Sequence, residues 1–168
     1  MKNIKDYDLP ALKEEFVQMG ERPFRAEQVF KWLYEVKVTN FDEMTNLSLE
    51  LREKLKQNYE MHNFKILKKQ ESSDGTKKYL FDVLDGNAIE TVLMSYHHGY
   101  SICVSSQVGC KMGCKFCAST GIPFVRNLTS GEIVEQILAV EQDNNIRISN
   151  VVFMGIGEPL NNLSLIHI

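Results

Sequence analysis

Three cysteines fall within one short run, Gly109-Cys110-Lys111-Met112-Gly113-Cys114-Lys115-Phe116-Cys117. Whatever the chain folds into must present these three thiols, spaced C-x3-C-x2-C, from a single loop. Three thiolates so placed can hold three corners of a cubic iron–sulfur cluster and leave the fourth iron without a protein ligand. An iron with an open position can bind and reduce a small molecule, so such a cluster would be catalytic. Other readings stand beside it. With His97 or His98 the three cysteines could bind structural zinc, although zinc sites usually pair cysteines as two C-x2-C knuckles and only one is present. The spacing could also be chance. The 4 cysteines could make two disulfides. However, the chain opens Met1-Lys2-Asn3-Ile4-Lys5 with no apolar signal segment, which leads us to expect a cytoplasmic protein with reduced thiols.

The residues around this loop set its context. Residues 8–60 read as helical. Leu9, Leu12, Phe16 and Met19 recur at helical spacing before Gly20, and Pro23 starts a second stripe of Ala26, Val29, Phe30 and Leu33. Leu47, Leu51 and Leu55 mark a third helix, with Ser48 as its cap. Segments 77–84 and 88–94 favour strands and flank the turn Asp85-Gly86-Asn87, a hairpin signal. A third strand over 100–105 leads into the cysteine loop. Thr129-Ser130-Gly131-Glu132 is a capping box that opens a helix to about Asp143. A short apolar strand over 150–154 then ends in Gly155-Ile156-Gly157-Glu158-Pro159. Strand, cysteine loop, helix, strand and glycine loop make a βαβ unit, with both loops at the carboxyl edge of a parallel sheet, where α/β folds build their sites.

Composition excludes little. The 168 residues suit one domain or two small ones, 43% are hydrophobic and 24% charged, and no apolar stretch is long enough for a membrane span. The net charge of −3 argues neither for nor against nucleic acid. Lys65, Lys68, Lys69, Lys77 and Lys78 form a local basic group that either touches phosphates or is a solvated face. The glycine loop lacks the third glycine of a dinucleotide fingerprint. Gly157 lets backbone carbonyls come close and Glu158 adds a carboxylate, which together suit a ligand ammonium; the plain alternative is a β-turn. Cys103 faces away from Ile102 and Val104 on its strand, and taken alone reads as a small core residue. Glu90 lies among Ala88, Ile89, Val92 and Leu93. Partial burial would raise its pKa and improve it as a base near neutral pH; the alternative is a solvent-facing strand residue.

Several motifs together resemble one family. Cys103-Val104-Ser105-Ser106-Gln107-Val108-Gly109-Cys110, Cys117-Ala118-Ser119, Arg126-Asn127-Leu128 and Met154 to Leu160 are similar to the bacterial radical S-adenosylmethionine (SAM) methyltransferases that modify adenine carbon 2 in ribosomal and transfer RNA. Glu90-Thr91-Val92 and Phe24-Arg25-Ala26-Glu27-Gln28 match as well. The resemblance implies an α/β chain in which a small N-terminal helical domain and a β-hairpin precede a partial (β/α)6 barrel. It implies a 4Fe–4S cluster on Cys110, Cys114 and Cys117, with SAM chelated to the open iron and contacted by Gly157 and Glu158. The substrates implied are 23S rRNA and tRNA. An electron donor such as flavodoxin is expected, as is a monomer when full length. In this family a methyl group is carried on a cysteine near the carboxyl terminus, and its radical adds to the ring, joining protein and RNA. Glu90 matches the residue that removes the ring proton. Cys103 matches the second thiol, which frees the product and leaves a disulfide bond.

The match implies the boundaries 1–60 for the helical domain, 61–99 for the hairpin segment and 100–168 for the first part of the barrel. The barrel is expected to be truncated, with 163–168 a foreign tail that departs from the family pattern. No cysteine remains to carry the methyl group, so the chain is expected to be inactive alone. The sister family that methylates carbon 8 of the same adenosine and confers antibiotic resistance, and a zinc-stabilised RNA-binding module, are the alternatives.

Overall fold

The computed structural model describes residues 1–163; most of the expected foreign tail, 164–168, lies outside the described residues. The chain divides into two compact units, Met1–Asn63 and a second from Phe64 onward. The first is helical, closed by a short parallel pairing of β1 (Lys2–Asn3) with β2 (Tyr59–Glu60). Helix α1 (Leu9–Gln18) starts where the Asp8 carboxylate accepts the Ala11 amide at 2.8 Å, and Gly20 follows it with a φ of 78°. Helix α2 (Pro23–Lys31) has its proline in the first turn, where no intrahelical N–H is lost. It widens into a π turn over Trp32–Val36 and stops at Lys37 in the left-handed region. Ser48 caps α3 (Leu49–Asn58) through the Leu51 amide. The apolar stripes meet in one core of Leu12, Phe16, Ala26, Val29, Leu33, Leu51 and Leu55, as their spacing predicts.

The second unit is a five-stranded sheet in the order β3 (Lys65–Glu71), β4 (Lys77–Asp82), β5 (Ala88–Tyr96), β6 (Gly99–Cys103) and β9 (Ile148–Val152). All neighbours are antiparallel except β6 and β9, which run parallel. The expected hairpin is β4–β5, with Leu84 and Gly86 at positive φ in its turn. Strand β3 was not anticipated. All seven of its residues are exposed, so it lacks the alternation that marks a half-buried strand.

Between β6 and β9 runs the crossover helix α4 (Ser130–Asn144), which opens on the expected capping box of Thr129 and Glu132. It covers one face of the sheet. There Tyr79, Phe81, Ile89, Leu93 and Ile102 form a core with Leu128, Ile133 and Val140 from the crossover. Tyr79 donates its hydroxyl to Asp143 at 2.7 Å, and Thr91 donates to Gln136 at 2.8 Å. Along β5 burial alternates, so Glu90, Val92 and Met94 point to the other face.

Candidate active site

The cysteine run is a closed loop. Its base is a two-rung ladder of β7 (Gln107–Val108) and β8 (Arg126–Asn127), and the Val125 amide adds a bond to the Val108 carbonyl at 2.8 Å. Gly109 stands at a φ of 71° so close to the Pro123 carbonyl that no side chain would fit. Arg126 clamps this base. Its guanidinium makes two bonds to the Glu132 carboxylate, at 2.7 and 2.8 Å, and one to Asp85 at 2.7 Å. The Glu132 bond chiefly, with Asp85, raises the pKa of Arg126 still further. The loop is thus tied at once to α4 and to the β4–β5 turn.

All three thiols of the run line one small cavity, with Met112, Gly113, Ser119 and Thr120. The Cys117 amide donates to the Cys114 carbonyl at 3.1 Å, and the Thr120 hydroxyl to the same oxygen at 2.5 Å. All four cysteines are free thiols. Among the described residues no three His, Cys, Asp or Glu side chains gather at the spacing of a single metal ion. Three thiols around one cavity are a donor set that would suit the corners of an iron–sulfur cluster. In the β5–β6 turn His98 stacks on Tyr96, and His97 meets His98 edge-on.

The glycine loop packs directly on the segment that leads into the cysteine loop. The Ile156 carbonyl accepts the Ser106 and Gln107 amides, and the Gly155 amide reaches the Val104 carbonyl at 3.1 Å. A β-carbon on Gly155 would come within 2.7 Å of that carbonyl, and one on Gly157 within 2.6 Å of the Gln107 side chain. The glycines therefore serve this loop-on-loop approach, a purpose the sequence reading did not assign. Gln107 accepts the Glu158 amide at 2.9 Å. Glu158 itself accepts the Leu160 amide through Oε1 at 3.1 Å, and Oε2 has no hydrogen bond among the described residues.

A buried polar network fixes these pieces. Gln136, wholly inaccessible, accepts the Ser105 amide and the Thr91 hydroxyl, both at 2.8 Å, and donates to the Ser105 carbonyl at 2.9 Å. The Ser105 hydroxyl donates to the Glu90 carbonyl at 2.6 Å and accepts the Ile156 amide at 3.0 Å. One serine thus joins the strand of Glu90 to the glycine loop. Asn162 donates to the Ser106 and Leu128 carbonyls, each at 2.9 Å. Sequence reasoning missed Ser105, Gln136 and Asn162. The signal available was a polar stretch, Ser105-Ser106-Gln107, between an apolar strand and a functional loop.

Glu90 and Cys103 share the sheet face opposite α4, because Val92 pairs with Cys103 and Leu80 with Glu90. Ile102 and Val104 are buried and Cys103 only half-buried, as the alternation predicts. Burial pushes the Cys103 thiol up, against a smaller opposing bond from the Met154 amide. Glu90 is partly buried, its side chain 43% exposed, and its Oε1 lies 3.0 Å from Lys78 Nζ. Strand β4, one place over, supplies that ammonium from the exposed side of the sheet. Glu90 and Lys78 line a cavity of about 530 Å³ with Leu80, Ala118, Ile122 and Ile156, so the base candidate, the cysteine loop and the glycine loop meet at one space.

Residues 2–61 match the family described as the ribosomal RNA large subunit methyltransferase N-terminal domain. A protein of Clostridium novyi named probable dual-specificity RNA methyltransferase RlmN is 53% identical over 163 residues, covering 96% of this chain and 48% of the relative. The protein of that name in Bacillus subtilis is 48% identical over 165 residues, covering 96% of this chain and 46% of its own. The chain thus spans about half the length of the curated relatives it matches. A radical SAM methyltransferase from Sphaerobacter thermophilus superposes with a TM-score of 0.90 at 36% identity, over 99% of this chain and 50% of that one.

Proposed function

We propose that this chain, which belongs to the RlmN family of RNA methyltransferases, carries the cluster and the proton-transfer part of an enzyme that methylates carbon 2 of an adenosine in 23S rRNA and in tRNA. The observation that supports this most is the cavity that Glu90 shares with Gly109, Ala118, Ser119 and Ile122 of the cysteine loop and Ile156 of the glycine loop, next to the small cavity of the three thiols. A 4Fe–4S cluster held by Cys110, Cys114 and Cys117 would supply one-electron reduction of bound SAM, with flavodoxin or a similar protein as donor. Gly157 and the free oxygen of Glu158 would receive the ammonium of SAM.

Glu90 takes a proton from the ring through one carboxylate oxygen while Lys78 holds the other. The ammonium fixes the direction of the carboxylate. Cys103 is protonated near neutrality because burial disfavours its thiolate. It becomes a nucleophile only after losing its proton, which places its attack late, with a disulfide bond as the product. Its partner thiol is not among the cysteines of this chain. Leu80, Val108, Ile122, Val125 and Ile156 give the cavity apolar walls beside the Lys78–Glu90 pair, which suits a flat base turned out of its stack. The relatives are named for the dual-specificity reaction, which favours carbon 2 over carbon 8. The whole protein is expected to be cytoplasmic and monomeric; in this chain no described helix is long and apolar enough to cross a membrane.

Anaerobic reconstitution with iron and sulfide tests the ligand assignment. The chain should take up about four irons with matching acid-labile sulfide. Cys114→Ala should abolish uptake, because two thiolates do not hold a cube, whereas Cys103→Ala should retain it. Equal loss in both variants makes Cys103 a ligand and ends the assignment. Uptake of one zinc in preference to iron ends the cluster reading.

A further inference from the structure

The basic group Lys65, Lys68, Lys69, Lys77 and Lys78 does not form one surface. Strand register separates it. Lys69 pairs with Tyr79 and Lys77 with Glu71, which puts both on the face that α4 covers. Their charges are committed there. Lys69 bonds Asp143 at 2.5 Å and Lys77 bonds the Asn144 side chain at 2.8 Å. The β-bulge between Ile66 and Lys68 lets Lys65 and Lys68 both face the other way. Lys65 stands opposite Asp82, and Lys68 opposite Leu80. Leu80 and Lys78 line the cavity that holds Glu90.

Resting on the RNA reading above, we propose that Lys65 and Lys68 bind the phosphate backbone of the RNA whose base enters the Glu90 cavity, and that Lys69 and Lys77 take no part. Neither Lys65 nor Lys68 has a hydrogen-bond or ion-pair partner among the described residues. Both lie on the fully exposed β3, an edge strand of the sheet. Two strand spacings, about 10 Å, separate Lys68 from Glu90 across the sheet. That distance lies within the combined reach of a lysine side chain and a nucleotide turned out towards the cavity.

Among the described residues no acid on this face forms an ion pair with either lysine: Glu90 pairs with Lys78, and Asp82 takes the Leu84 amide on its Oδ1 at 2.8 Å. Lysines on an edge strand also block pairing with other strands. That role needs no particular face, whereas the bulge directs both unpaired lysines to the side of the cavity.

The test compares two charge-matched double variants of the whole chain, Lys65→Gln/Lys68→Gln and Lys69→Gln/Lys77→Gln. The probe is a synthetic RNA stem-loop with an unpaired adenosine, and affinity is measured from low to moderate salt. For the wild-type chain, binding should weaken as salt rises. The first variant should flatten the plot of log affinity against log salt by about 1.5, the loss of two phosphate contacts. Lys65→Arg/Lys68→Arg should restore the wild-type slope, since phosphate accepts either cation. The second variant, checked for folding by circular dichroism, should leave the slope unchanged. Equal flattening by both variants, or none from the first, overturns the proposal while leaving RNA binding in place. A wild-type chain that does not bind the stem-loop overturns the RNA reading and this inference with it.

Discussion

The two faces of the five-stranded sheet use neighbouring residues of the same strands for opposite ends. On the α4 face Tyr79, Phe81, Ile89, Thr91 and Ile102 are wholly inaccessible. Each is apolar or has its polar group bonded to the helix or its neighbours. On the other face Leu80, Glu90, Val92 and Cys103 are only partly buried and Lys78 is exposed. Stability comes from the first face, because apolar burial there is complete. The second keeps its side chains accessible and its charges paired at the surface, where an ion pair contributes little. One period-2 pattern therefore serves both packing and chemistry, and a shift of one residue would exchange them.

The sharpest way to break this comparison is to truncate adjacent residues. Phe81→Ala should cost about 4 kcal/mol, the range for a large buried aromatic. Leu80→Ala should cost about 1 kcal/mol, since its side chain is partly solvated already. Urea denaturation of the two variants measures both, and similar costs would show that the faces do not differ as described.

A somewhat smaller effect is expected where the packed face meets the site. Gln136→Leu strands the Ser105 amide, the Ser105 carbonyl and the Thr91 hydroxyl, at a cost of about 3 kcal/mol for buried groups left unpaired. Glu90→Gln, at the residue whose backbone carbonyl takes the Ser105 hydroxyl but whose side chain lies on the open face, should change stability by less than about 0.5 kcal/mol. Thermal denaturation of both distinguishes a structural network from a solvated base. A large loss in the Glu90 variant would make that residue part of the scaffold.

The smallest effect concerns acid. Burial pushes the Asp143 carboxyl up, but bonds from Lys69 and Tyr79 outweigh it and the net shift is downward. A carboxyl with a depressed folded pKa contributes stability above its unfolded value of about 4, and that stability is lost as pH falls through the folded value. The melting temperature should therefore drop below about pH 4, and Asp143→Asn should flatten the drop. An unchanged acid profile in that variant would remove Asp143 from the helix-to-sheet ties.

The sequence made the helical stripes, the β4–β5 hairpin, the capped crossover and the cysteine loop legible, because each carries a local signal. The alternation of Cys103 with Ile102 and Val104 was equally readable. Strand β3 was not, since an edge strand exposed on both sides shows no period. Its bulge, which decides which lysines reach the cavity, has no sequence mark at all. The Glu90 environment was left open because its apolar neighbours in sequence occupy both faces: Ile89 goes to the core while Ala88 and Val92 flank Glu90 on the open side. The glycine loop was read for a ligand, yet its backbone geometry is set first by Val104 to Gln107, residues some fifty positions away in the chain.

The two-rung ladder that closes the cysteine loop has a thermodynamic corollary. Between Val108 and Arg126 the chain hides few side chains and meets the sheet mainly at its two ends. A segment so attached opens at a fraction of the free energy that melts the sheet, and its amides should exchange with deuterium long before those of β5 and β6. Loss of a cluster held there, as proposed above, would then be a local event that leaves the sheet on which it can be rebuilt.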